Sequence, residues 1–197
     1  MERKGRRIGP MLPAAACAAA AGAARAAHGD IAGFGDGVLH VIAWSAPLVA
    51  AVAIGIWSMA YPWRRTWLIV VAFALAVGGG AVAGRGAVAG DPAVDTLVVA
   101  SVVLLGLLIF GSRVLSLPSA LAIAIVFGAI HGFDHGPEAG TSGAFDEYAA
   151  GLAVATLFLG IAGMGIGMMA RVATRHGMRV AGAAVAAAGI WFAVGAG

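Results

Sequence analysis

Apolar residues fall in runs too continuous for soluble helices, and the polar residues between them come in short clusters rich in turn formers. A spanning helix needs about 20 largely apolar residues, because the hydrocarbon core is about 30 Å thick and each residue rises about 1.5 Å. Six stretches read as spans, at 38–60, 67–84, 94–111, 116–131, 148–170 and 179–196, the third and fourth being short. Between them lie Tyr61-Pro62-Trp63-Arg64-Arg65, Gly84 to Pro92, Ser112 to Pro118, His131 to Glu147 and Arg171 to Arg179. The pattern predicts an all-α, polytopic membrane helix bundle of six transmembrane helices.

A further apolar run, Met11 to Ala24, follows Arg3, Lys4, Arg6 and Arg7 and ends in Ala24-Arg25-Ala26. A basic start, a short apolar stretch and an A-x-A pattern read as a secretory signal peptide over residues 1–26, with the six-helix domain over 27–197. The alternatives are an uncleaved first helix, too short to span comfortably, and a lipid attachment at Cys17, whose preceding Ala14, Ala15 and Ala16 match such a site poorly. Cleavage after Ala26 leaves a mature chain without cysteine, hence without disulfide or thiolate chemistry.

Composition narrows the class. The chain is 61% hydrophobic and 11% charged, whereas soluble domains carry about a quarter charged residues. A soluble globular domain, a disordered tail, a disulfide scaffold and a nucleic-acid binder are all excluded. The formal charge of +3 comes from the leader: removing five of the twelve bases and Glu2 leaves seven bases against eight acids, about −1.

With the mature N-terminus outside, the loops alternate, and the predicted inner ones hold Arg64, Arg65, Arg113, Arg171, Arg175 and Arg179 against only Arg85 outside. That asymmetry independently gives the same orientation. All eight mature acids, Asp30, Asp36, Asp91, Asp95, Asp134, Glu138, Asp146 and Glu147, fall on the outer side or at its boundary. Such a face concentrates cations, although outer loops also simply need solvating residues.

Four of the five histidines share that side: His28, His40, His131 and His135. His176, in the arginine-rich inner loop, reads as a solvated residue. In His131-Gly132-Phe133-Asp134-His135-Gly136-Pro137-Glu138, a helix running to about His135 places His131, Asp134 and His135 on one face. Pro137 ends that helix, so a turn returns Glu138 over the same face. Two imidazoles and two carboxylates suit a borderline divalent ion such as nickel, zinc or cobalt, although boundary histidines also occur as interfacial polar tips. His40 lies inside the first span with Asp36 one turn earlier; an intramembrane histidine either serves a path or bonds a neighbouring helix. His28, second in the mature chain, can pair with the free amine as a copper or nickel chelate, although exported chains often begin with arbitrary polar residues. The glycines of the second and fifth spans, Gly163 and Gly167 among them, read as packing surfaces, and Met164, Met168 and Met169 as core filler.

His131-Gly132-x-x-His135-Gly136-x-Glu138, followed by Tyr148-x-x-Gly151 and Ala155-Thr156-x-x-Leu159, resembles the HupE/UreJ family, and the leader and spans extend the resemblance over nearly the whole chain. In the family's HPxxGxDH element, Gly37 and His40 stand in register, but Gly33, Phe34 and Leu39 replace His, Pro and Asp; Gly160 stands where a further histidine is common. The resemblance implies a small permease for nickel or a related metal, associated with hydrogenase and urease gene clusters. The expectation is therefore a bacterial inner-membrane permease for a divalent metal, nickel before cobalt, zinc or copper. His131, His135, Glu138 and Asp134 would form its periplasmic mouth, His40 and Asp36 the next step, and His28 a capture arm. No permanent cofactor, enzymatic activity or nucleic-acid partner is expected; the partners are the bilayer, the metal and, through the glycine-rich helices, a second copy. A non-conducting metal-binding accessory subunit and a zinc-dependent membrane hydrolase are the alternatives.

Overall fold

The computed structural model describes residues 33–112, 115–139 and 144–195. Its elements are α1 (Phe34–Ala43), α2 (Ser45–Ser58), α3 (Trp63–Gly84), α4 (Pro92–Phe110), α5 (Leu117–His135), a 3-10 turn (Gly136–Ala139), α6 (Phe145–Ala173) and α7 (Gly177–Gly195). No strand occurs among the described residues. The five helices α3 to α7 are long and apolar enough to cross a bilayer, α5 counted with its 3-10 extension, and the chain is a multi-pass membrane protein. The leader, Cys17 and His28 lie outside the described residues.

One predicted span takes a different form. In place of a continuous helix over 38–60, α1 and α2 form a pair bent by 86°, with Trp44 between them in an extended conformation (φ −99°, ψ 123°). Pro47 supplies a local reason. It has no N–H to give the carbonyl of Ala43, so an unbroken helix would lose a bond and clash there. With the break at Trp44, Pro47 sits in the first turn of α2, where its missing donor costs nothing. The bend matters because His40, near the end of α1, meets His135 and Glu138 at the end of α5.

α3 packs chiefly on α5 and α4 on α7, while α6 lies along both α1 and α2. Apolar burial gives helices no driving force to associate in lipid, so close backbone approach has to hold them. At Gly37 a Cβ would meet the carbonyl oxygen of Tyr148, and at Gly132 the carbonyl oxygen of Val77. Glycine at these two places lets α1 reach α6 and α5 reach α3. Gly163 and Gly167 likewise face Val52 and Ile56 of α2, so the GxxxG of α6 is used within the chain. Of the α6 methionines, Met164 is buried, whereas Met168 and Met169 face outward rather than filling the core.

Side-chain ties close the two ends of the bundle. At the arginine-rich end, the Thr66 hydroxyl bonds the carbonyls of Ser58 (3.0 Å) and Tyr61 (3.2 Å). There the Leu115 N–H donates to the Tyr61 hydroxyl at 2.9 Å, and Arg171 donates to the Met59 carbonyl. Burial raises the pKa of the Tyr61 phenol, and the Leu115 N–H partly offsets it. At the other end the Arg85 guanidinium sits 4.5 Å from the centre of the Phe145 ring, pinning the end of α3 to the start of α6.

Candidate metal site

α5 runs to His135, and the 3-10 turn Gly136–Ala139 then carries Glu138 back beside the helix end. His40 arrives from α1, held there by the Gly37 contact with α6. The three side chains meet. His40 Nε2 lies 2.6 Å from Glu138 Oε2 and 3.0 Å from His135 Nδ1, and His135 Nδ1 lies 3.6 Å from Glu138 Oε2. No other group of three or more ligand-capable side chains converges among the described residues.

The protonation pattern follows from the distances. An ionised carboxylate only accepts, so the proton between His40 and Glu138 belongs to His40 Nε2. His135 Nδ1, 3.0 Å from that N–H, is placed to accept from it when its own proton sits on Nε2. His135 is 1% exposed, and its Nε2 has no protein partner among the described residues. In that tautomer one proton holds together three atoms that all ligate divalent ions. Zinc-like ions take nitrogen and oxygen at about 2.0–2.2 Å, which sets ligand separations of about 3–3.5 Å. Shifts of a few tenths of an ångström would fit the triad to such an ion. The His40 ring is framed by Trp44, stacked at 5.6 Å, and by Tyr148, edge-on at 5.9 Å between centroids.

The other expected residues separate from this cluster. His131 lies one turn deeper on α5, fully buried, with Nε2 2.8 Å from Ser101 Oγ of α4 and its ring against Phe73 at 6.2 Å. Asp134 is half-buried and stands outside the converging group. Asp36 accepts the Gly33 N–H at 3.0 Å at the start of α1, and Asp91 caps α4 through the Ala93 N–H at 2.9 Å. These two acids thus serve helix N-termini. His176 is exposed on the far side and lies 2.9 Å from Arg175 Nε.

Sequence reasoning missed two side chains here. Ser101 sits within an apolar span, where its hydroxyl is the signal. The phenol of Tyr148, 3% exposed, has no hydrogen-bond partner among the described residues; a tyrosine one turn into a helix that begins Phe145-Asp146-Glu147 reads locally as an interfacial anchor.

The sequence profile of the HupE / UreJ protein family matches residues 12–192. Among curated proteins, Protein HupE of Rhizobium leguminosarum bv. viciae is 32% identical over 179 residues, covering 86% of this chain and 91% of the relative. No solved structure matches the chain. A match over nearly the whole length, together with a relative of this identity and coverage, means that the chain belongs to the HupE/UreJ family.

Proposed function

We propose that this protein is an inner-membrane permease admitting a divalent transition metal, nickel first, from the periplasmic side. The observation that carries the reading is the convergence of His40 Nε2, His135 Nδ1 and Glu138 Oε2 at the acid-rich end of the bundle. The set offers two imidazoles and one carboxylate, a donor mixture that suits nickel, cobalt and zinc. His131 and Asp134 stand next to it on α5, and His28 would serve as an outer capture arm. Arg64, Arg65, Arg171, Arg175 and Arg179 mark the opposite end as cytoplasmic by the positive-inside rule.

The metal competes with the proton that bridges the triad, so binding requires that proton to leave or to move to the other nitrogen of His40. Carrying a +2 ion inward is favoured by about 4.6 kcal/mol per 100 mV of membrane potential. Radioactive nickel uptake into proteoliposomes tests the proposal. Wild type accumulates nickel, and His40→Ala with His135→Ala at equal incorporation accumulates far less. Equal accumulation by the two removes the triad from the path, absence of accumulation in the wild type overturns the permease reading, and nickel binding without flux assigns the protein to a non-conducting accessory role.

A further inference from the structure

His131 is 1% exposed and has two ring nitrogens in different surroundings. Nε2 lies 2.8 Å from Ser101 Oγ, while Nδ1 has no hydrogen-bond partner among the described residues. Ser101 is also 1% exposed, and its Oγ lies 2.7 Å from the carbonyl oxygen of Val98. Two oxygens that close, one of them a carbonyl, need a proton between them, and only the serine hydroxyl can supply it.

The single Ser101 proton is therefore committed to Val98, and Ser101 meets His131 as an acceptor. Nε2 of His131 must then carry the ring proton and donate it to Ser101. A neutral imidazole has one proton, so Nδ1 is left with a bare lone pair. In the interior a polar atom without a partner is costly. A divalent cation removes that cost, and neutral imidazole is the form that ligates one.

We propose that Ser101 is a positioning residue: by accepting the Nε2 proton of His131 it presets Nδ1 of that ring as a donor for a divalent cation one helical turn below the His40, His135 and Glu138 cluster. The proposal rests on the permease reading only for its cargo; the tautomer and the binding stand without flux. Ser101 acts on the metal through His131, as outer hydrogen-bond partners act on ligating histidines generally. In the tautomer with its proton on Nε2, His135 would present the same nitrogen as His131. Two like donors in series on α5 would let an ion pass from one to the other without a change of ligand type.

The test is nitrogen-15 NMR of histidine-labelled protein in lipid nanodiscs, with His131→Gln to assign the resonances and zinc alone as the diamagnetic probe. In wild type, His131 shows one tautomer protonated at Nε2, and zinc moves its Nδ1 into the metal-bound range. In Ser101→Ala the two tautomers mix and zinc affinity at His131 falls by about tenfold or more, the scale on which such outer partners act. Ser101→Thr, which keeps the hydroxyl, restores both readouts. A wild-type His131 protonated at Nδ1, or zinc binding at His131 unchanged in Ser101→Ala, overturns the inference. Zinc at His131 Nδ1 in a protein that carries no nickel across a membrane sinks the permease reading and supports this one. Normal nickel flux with His131 untouched by the metal does the reverse.

Discussion

Glu138→Gln is the sharpest perturbation of the site, because it keeps the shape of the side chain and one carbonyl oxygen while removing the charge. Glu138 Oε2 lies 2.6 Å from His40 Nε2 and 3.6 Å from His135 Nδ1, so the amide would stay in the same place among the same atoms. An interaction with a charged group contributes about 1.5–3 kcal/mol and a neutral one about 0.5–1.5. The substitution should therefore cost about 1–2 kcal/mol of metal binding. At about 1.4 kcal/mol per tenfold, nickel dissociation constants should rise roughly 5- to 30-fold. This is a floor, since the ion carries twice the charge of a hydrogen-bond donor. Asp134→Asn is the matched control: it removes the other carboxylate of the same motif, one outside the converging group, and should change affinity by less than about threefold. Calorimetric titration of nickel into each protein in nanodiscs measures both. Glu138→Gln binding within about twofold of wild type, or an equal loss in Asp134→Asn, would refute the reasoning. Either result would mean that this turn does not bring the working carboxylate to His40.

Gly37→Val puts a side chain where the Tyr148 carbonyl already sits. Overpacking of about 1–3 kcal/mol should then push α1 off α6, lowering the melting temperature in detergent and weakening nickel binding as His40 leaves Glu138. Tyr148→Phe removes a buried hydroxyl without a partner among the described residues, so the metal-free protein should gain about 1 kcal/mol; a lower melting temperature would reveal a partner for that hydroxyl. Thr66→Val strips the bonds to Ser58 and Tyr61 that close the arginine-rich end and should cost about 1–3 kcal/mol in a denaturant melt, with nickel affinity unchanged. Acidification should weaken nickel binding, because protons and metal compete for the same nitrogens and carboxylate; a binding isotherm independent of pH would remove the triad from consideration.

Much of the site's local construction was legible. Pro137 and the glycine before it announced that α5 ends at His135 and that Glu138 returns from a turn, because a proline's restrictions act within one or two residues. His131 shows where local reading ran out. Positions four apart on a helix differ by about 40° in direction and by a full turn in depth. His135 thereby meets α1, while His131 meets Ser101 on α4. Spacing put both histidines on one face and could not say that different helices wait opposite them. The bend at Trp44 lay between these cases: Pro47 was visible, but hydropathy is blind to a missing N–H and read 38 to 60 as one span.

The sequence by itself determined the solvent, the helical class, the approximate limits of α3 to α7 and the gathering of acids and most histidines in alternate loops. All of these depend on composition and on spacing within single segments. Which carboxylate faces His40, which histidine faces a serine, and which glycines let backbones touch were decided only in the folded bundle. Ligands are brought together by contacts between helices distant in the chain, and in lipid those contacts depend on small residues whose partners no local pattern names.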